Sequence, residues 1–356
     1  NLIYSKAIPQ WGPISGINQV RSIQETGNEG EFNLTFGANF SNKFYLGGAL
    51  GISTYFSKRE TQHYEEINEG KFNYIDFPEV FDGYYESRYH EASIGNEEWF
   101  GLNNFTFSEI VNTNGIGINL KVGVIYKPIN SLRIGAAIHT PSFYSFDEEY
   151  KTTINADQFK IDFIPNDESV YDDLDLTDLN IYEKTNYSEY SYNFRSPYKA
   201  IGSLAYTFGT KGLISADYEF TDYNSMKFSS SENTISDMNF INDQNDQIKE
   251  VFRGTHNIRL GAEFRPTEII TVRAGYGLFQ SPYKKGYINH DDKHQTFSAG
   301  LGFKMNNMFI DVGYMLRQQK NLYSLYYSPW VADEDQEPAS ITSNLHQVAV
   351  TLGWRF

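Results

Sequence analysis

Bond-making chemistry has few places to reside in this 356-residue sequence. It contains no cysteine, which removes disulfides, thiolate zinc sites and sulfur nucleophiles together. His139 near Ser142, and His256 beside Thr255, are the hydroxyl–imidazole neighbours that a hydrolase would use. Adjacent residues in a strand point to opposite faces, so these neighbours predict no catalytic pair. His290 and His294 lack a carboxylate at metal-ligand spacing, and zinc is not expected. The acidic runs Asp172–Asp178 and Asp333–Asp335 offer the hard oxygens calcium prefers, but at a spacing that matches no EF-hand loop. They read better as solvated surface. The expectation is a protein without catalytic residues, metal or cofactor.

What remains is a regular array of charges. Lys121, Arg133, Asp217, Glu219, Arg259, Glu263, Arg273, Asp311 and Arg317 each have at least one large apolar neighbour. The elements that hold them have a period of two: Ile116 to Tyr126, Leu132 to Ile138, Ile214 to Phe220, Ile258 to Phe264, Val272 to Leu278, Phe297 to Phe303, Ile310 to Leu316 and Val348 to Phe356 all alternate apolar and polar residues. Together with Phe32 to Phe40, its hairpin partner and Leu204 to Phe208, about eleven strands are visible, and no segment of comparable strength has helical period. The fold class is all-β and antiparallel.

Short turns (41–43, 128–131, 209–212, 265–268, 305–307) alternate with long connections near 59–98, 147–183, 229–250, 281–292 and 324–341, which is the plan of an up-and-down meander closing into a barrel. One face of each strand is large and apolar, with Tyr126, Tyr206, Tyr218, Tyr276, Tyr314 and Trp354 near strand ends; the other carries glycines and charges of both signs. A water-soluble barrel would reverse this arrangement, so the reading is a transmembrane β-barrel with a charged lumen. Most of the 45 acidic residues fall in the long connections, which makes the end that faces the cell exterior anionic. Residues 24–356 are assigned to the barrel. Residues 1–23 are expected to be irregular and part of an extracellular loop.

Composition agrees. The net charge of -16 disfavours nucleic acid as a partner, and 40% hydrophobic residues exclude intrinsic disorder. Mean hydropathy is -0.50, and no apolar run is long enough to cross a bilayer as a helix. Asn1 to Pro13 has neither the basic start nor the apolar stretch of a secretory leader.

Several segments, in their order and spacing, resemble the FadL/TodX family of outer-membrane transporters for hydrophobic compounds, in its Bacteroidetes-type form. They are Gly115-Ile-Gly-Ile-Asn119 leading to Val124-Ile-Tyr-Lys-Pro128, Leu132-Arg-Ile-Gly-Ala136 with His139-Thr-Pro-Ser-Phe-Tyr-Ser145, and Ser196-Pro-Tyr198 running through Leu204-Ala-Tyr-Thr-Phe208 into Gly212 to Phe220. Val272-Arg-Ala-Gly-Tyr276 with Gln280-Ser-Pro-Tyr283 completes the set.

The resemblance implies a fourteen-stranded barrel in the bacterial outer membrane, plugged by an N-terminal hatch carrying an Asn-Pro-Ala motif that this sequence lacks. Eleven strands is an odd count where bacterial barrels are even, and an N-terminally incomplete chain is expected. The implied function is passive uptake of hydrophobic or amphipathic small molecules such as long-chain fatty acids, without a cofactor. A ligand would be captured among surface loops, passed to a pocket in the barrel and released sideways. Under that reading Phe72, Tyr74, Phe77, Phe81, Tyr84, Tyr85, Trp99 and Phe100 form the capture groove, with Arg88 as a partner for a carboxylate. Arg195 and Arg253 are further basic candidates near outer strand ends. The partners implied are the hydrophobic ligand, outer-membrane lipid and lipopolysaccharide. The alternative is a non-transporting barrel that serves as adaptor or subunit of a secretion or surface complex, with a protein partner; an outer-membrane enzyme is the weaker competitor.

Overall fold

The computed structural model describes residues 17–67, 99–162, 175–231, 235–305, 307–323 and 338–354. The strands are β1 (Ile17–Phe40), β2 (Phe44–Ile67), β3 (Trp99–Ile129), β4 (Leu132–His139), β5 (Phe143–Asp162), β6 (Asp175–Lys184), β7 (Ser188–Arg195), β8 (Lys199–Thr207), β9 (Gly212–Asp222), β10 (Lys227–Ser230), β11 (Gly254–Phe264), β12 (Ile270–Gln280), β13 (Lys293–Met305), β14 (Met308–Tyr323) and β15 (Ala339–Trp354). One helix, α1 (Ile235–Val251), separates β10 from β11. The strand order is β10-β7-β5-β3-β4-β8-β9-β11-β12-β13-β14-β15, with β2 on β3, β1 on β2 and β6 on β5.

The chain divides into two compact units. The larger comprises residues 29–55, 114–147 and 191–356. From β8 onward its strands pair antiparallel in unbroken register, for example Ile258 with Tyr218 on one side and with Leu278 on the other. The tight turns are built for reversal: Ser41 and Asn42 both adopt left-handed φ, 55° and 54°, and the Asn42 N–H donates to Asn39 Oδ1 at 3.0 Å. Gly209, φ 59°, serves the β8–β9 turn.

Burial in this unit is inverted relative to a water-soluble protein. Val348, Val350, Leu352 and Trp354 are 70%, 62%, 55% and 60% exposed, while Ser53, Asn119, Glu219, Thr221 and Thr255 are buried. Large apolar side chains are exposed on one face of β8, β9 and β11 to β15, and hydroxyls, amides and charges fill the opposite face.

The smaller unit comprises residues from 1–28, 56–113 and 148–190. Here β5 and β6 pair from Thr153–Lys184 to Asp162–Asp175. Polar rungs replace apolar ones: Gln19 Nε2 donates to Glu65 Oε1 at 3.0 Å, His63 Nε2 lies 2.7 Å from the same oxygen, and the Tyr150 hydroxyl donates to Glu109 at 2.9 Å.

Several elements lie where the sequence predicted loops. β1 begins at Ile17, inside the stretch expected to be irregular; β2 continues past 59 to Ile67; β5 and β6 occupy much of 147–183; β10 and α1 occupy 227–251. This brings the strand count to fifteen against the eleven read from periodicity. The reason is chemical. A membrane crossing needs roughly 10 residues, whereas β2, β3 and β5 run for 24, 31 and 20. Beyond the crossing both faces of a strand can be polar, and the period-two signal vanishes. In α1 the buried stripe is Ile241, Asn245 and Ile248, too short and too polar to declare a helix. Asn245 instead acts as a clamp: its Nδ2 donates to Phe228 O at 2.9 Å and its Oδ1 accepts from Phe228 N at 2.7 Å, capping β10 with a side-chain amide.

Candidate functional site

The polar face of the larger unit carries two chemically different regions. The first runs across β9, β11, β12 and β14. Register sets Arg259 opposite Asp217 and Glu263 opposite Arg273. Arg259 lies 3.1 Å from Glu219 and 3.9 Å from Asp217, and Asn257 Nδ2 donates to the other Glu219 oxygen at 3.1 Å. Arg273 bridges Glu263 at 2.7 Å and Asp311 at 2.5 Å, and Arg265 adds a second contact to Glu263 at 2.6 Å. To reach Asp311, the Arg273 guanidinium must pass over β13. Gly302 gives it room: a Cβ there would sit 2.4 Å from Asp311 Oδ1 and 3.3 Å from Arg273. Between these ion pairs lies a hollow of about 380 Å³, lined by Ser215, Gly261, Gly275, Thr296 and Ser298 and flanked by Arg259 and Arg273.

Lys121 belongs to a separate group: it pairs with Glu31 and donates to Asn33 at 3.5 Å, beside the buried Asn119, whose amide reaches Ser53 and Ser142 at 3.3 and 3.2 Å. Arg133 is exposed opposite Ala205, and Arg317 stands opposite Thr296. Of the nine expected lumen residues, the structure therefore gathers six, Asp217, Glu219, Arg259, Glu263, Arg273 and Asp311, into two ion-pair clusters on one face, and sets Lys121, Arg133 and Arg317 apart.

The second region is aromatic. Phe146 on β5 is buried and meets four rings: Tyr144 stacks on it at 5.1 Å and 17°, Tyr55 meets it edge-on at 5.6 Å, and Tyr192 and Phe194 lie at 5.5 and 6.4 Å. Phe228 closes the group, 5.6 Å from Tyr192 and 5.0 Å from Phe194. Gly115 and Gly117 on β3 form the floor, where a Cβ would come within 2.2 Å of Phe146 and 2.6 Å of Tyr144. Phe146 and Tyr144 share this face with Ser142, while Phe143 stands 54% exposed on the other. An apolar, polarizable patch on a face otherwise given to charge can hold a nonpolar ligand by dispersion and ring contacts.

None of these six rings was singled out by sequence reasoning, although Tyr144/Phe146 and Tyr190/Tyr192/Phe194 do alternate. Alternation marks a strand face without saying which face is lipid. The expected capture residues Phe72, Tyr74, Phe77, Phe81, Tyr84, Tyr85 and Arg88 lie outside the described residues; Trp99 and Phe100 open β3. Arg195 and Arg253 are bound to backbone, not to carboxylates: Arg195 donates to Ser225 O at 2.9 Å and Arg253 to Ser281 O at 3.2 Å. Among the described residues no group of three His, Asp or Glu side chains could hold a metal.

An antiparallel sheet with exposed apolar residues on one face and paired charges on the other defines a membrane-spanning β-barrel protein. Residues 77–343 match the family described as outer membrane protein transport protein (OMPP1/FadL/TodX), and the chain belongs to that family of outer-membrane transporters for hydrophobic compounds, which are channels and not enzymes. Similar solved structures include a Pseudomonas aeruginosa FadL homologue (12% identity, 89% of this chain and 76% of that one, TM-score 0.42) and the Pseudomonas putida toluene transporter TodX (11%, 96% and 87%, 0.39). The Ralstonia pickettii toluene transporter TbuX is a third (13%, 95% and 78%, 0.36). No curated protein matches the sequence.

Proposed function

We propose that this chain is a passive outer-membrane channel for hydrophobic or amphipathic small molecules, long-chain fatty acids among them, and that the Phe146 cluster is where the acyl or aromatic part of the ligand rests. The observation that carries the reading is the six-ring cluster on the polar face. A barrel that served only as a scaffold would gain nothing from aromatic surface where charge and hydroxyl otherwise prevail. Phe72 to Phe100 would act upstream as the capture groove, with Arg88 meeting a carboxylate. No cofactor or energy coupling enters.

The test is uptake of a radiolabelled long-chain fatty acid by cells that lack their own transporter and express this chain. Wild type should restore uptake, and Phe146→Asp should abolish it while the barrel remains folded. Uptake unchanged by Phe146→Asp sinks the assignment of the cluster; no uptake by folded wild type sinks transport of this substrate class. The ion-paired wall of β9 to β14 supports a second reading, an adaptor barrel stiffened for protein contact. A stoichiometric subunit copurifying with a ligand-free barrel would favour it.

A further inference from the structure

Two tyrosine–histidine pairs on the apolar face are built to one plan. Tyr218 on β9 bonds His256 on β11, hydroxyl to Nδ1, at 2.6 Å; Tyr314 on β14 bonds His346 on β15 at 2.7 Å. In both, the tyrosine faces a β-branched residue across the ladder, Ile258 or Val348, and the histidine sits diagonally, two positions on. Ring centroids are 5.9 and 6.1 Å apart, inclined at 31° and 37°. Tyr218 is as far from Gly212, where β9 begins, as Tyr314 is from Met308; His256 is as far from Phe264, where β11 ends, as His346 is from Trp354. The pairs therefore sit at one height.

That height is the upper rim of the apolar band. Below His346 on the same face come Val348, Val350, Leu352 and Trp354, and above it Asn344, Thr342 and Ser340; below His256 come Ile258, Leu260, Ala262 and Phe264. The rim lies toward the long connections, which in an outer-membrane barrel is the outer leaflet. In the tautomer in which the tyrosine hydroxyl donates to Nδ1, which is the one the site requires, the neutral imidazole carries its proton on Nε2. Both histidines are exposed, and among the described residues no group accepts from Nε2. An unmatched N–H is unfavourable in hydrocarbon but is a ready donor at headgroup level.

The surroundings of the two pairs differ in charge. Above Tyr314–His346, Gln318 Nε2 donates to Asn344 Oδ1 at 3.3 Å, leaving the Asn344 amide as donor, and the next outward residue of β14 is the exposed Lys320, whose ammonium also feels the Asp292 carboxylate but, being exposed, keeps donors for a phosphate. Above Tyr218–His256 the corresponding alternation ends in Asp222. We propose that Tyr314–His346, with Asn344 and Lys320, is a binding site for the phosphate of a phosphorylated outer-leaflet glycolipid, and that Tyr218–His256, beside a carboxylate, is its non-binding twin. Only the first offers both donors and a cation to a phosphate oxygen.

Native mass spectrometry of the detergent-purified chain, incubated with a bis-phosphorylated lipid A and, separately, with the same glycolipid stripped of phosphate, tests this. Wild type should retain the phosphorylated form preferentially, and His346→Phe with Lys320→Gln should lower retention about a hundredfold, the loss of roughly two charge-assisted hydrogen bonds. His256→Phe should leave it unchanged, and His346→Gln, which keeps a donor, should recover part of it. Heat-modifiable mobility on a gel confirms that each variant is folded. Equal retention of the two glycolipids, an unaffected His346→Phe/Lys320→Gln variant, or an equal loss in His256→Phe would overturn the proposal. The site does not depend on the transport reading, since fatty-acid uptake by the His346→Phe variant is expected at the wild-type level.

Discussion

The ion-paired wall of β9 to β14 and the ring cluster around Phe146 occupy the same face of one compact unit and solve opposite problems. In the wall every carboxylate has a guanidinium or amide partner, and glycines such as Gly302 thin the backbone so that arginine can span two strands. In the cluster, Gly115 and Gly117 thin the backbone so that rings can lie flat on it. The same device, a glycine where a neighbour needs the volume of a side chain, thus serves electrostatic closure in one region and apolar surface in the other. The comparison teaches that Gly302, Gly115 and Gly117 each make room for a large group lying over the sheet, whatever its chemistry.

Four changes would break or sharpen the contrast. The largest effect belongs to Phe146→Asp, which places a charge among four rings; uptake should fall by about tenfold or more, because the ligand then loses apolar contact and meets a solvated carboxylate. Fatty-acid uptake by intact cells measures it, and undiminished uptake would confine the cluster to a structural role. Next is Gly117→Val, whose side chain would enter the space of Tyr144; overpacking of this kind costs about 1–3 kcal/mol and should also tilt the stack, lowering uptake less than the charge does. Thermal unfolding in detergent alongside uptake separates the two consequences.

Arg273→Ala should behave in the opposite sense. It leaves Glu263 and Asp311 without their shared cation, and since the three side chains are 43%, 12% and 31% exposed, the loss of stability should be only about 1–2 kcal/mol, with uptake nearly unchanged. If Arg273→Ala abolished uptake in a folded barrel, the wall and not the cluster would be the conducting surface.

The smallest effect lies at the long-loop end, where Tyr287 donates to Glu250 Oε1 at 2.9 Å and ties the turn after β12 to the end of α1. That bond holds the Tyr287 hydroxyl above the ordinary tyrosine range. A folded value above the unfolded one means the clip is complete below about pH 10 and is lost as pH rises through the folded value. Spectrophotometric tyrosinate titration of wild type minus Tyr287→Phe should isolate one group ionising above the rest; a difference at or below the ordinary value would show that the clip does not form.

Legibility tracked chemistry. Strands β8, β9, β11 to β15 alternate strongly because a bilayer demands apolar residues on one face at every second position, and they were readable one by one. β5, β6 and β10 carry no such demand along much of their length and fall wholly or partly in stretches that read as loop, and β7 alternates over too few residues to be read as a strand. The charged residues Asp217, Glu219, Arg259, Glu263, Arg273 and Asp311 were legible as a set because a charge at every other position of an apolar strand has one place to go; which carboxylate each arginine would take was not.

From sequence alone came the antiparallel all-β class, the membrane-facing stripe and the expectation of a charged opposite face, because side-chain period and residue polarity are local properties. Tertiary structure decided the rest. The ring cluster joins Tyr55, Tyr144, Phe146, Tyr192, Phe194 and Phe228 from four strands far apart in the chain, and the tyrosine–histidine twins depend on register across two separate strand ladders. Alternation says that a residue lies on one side of a strand, but only the pairing of strands says which side is lipid and which residues meet there.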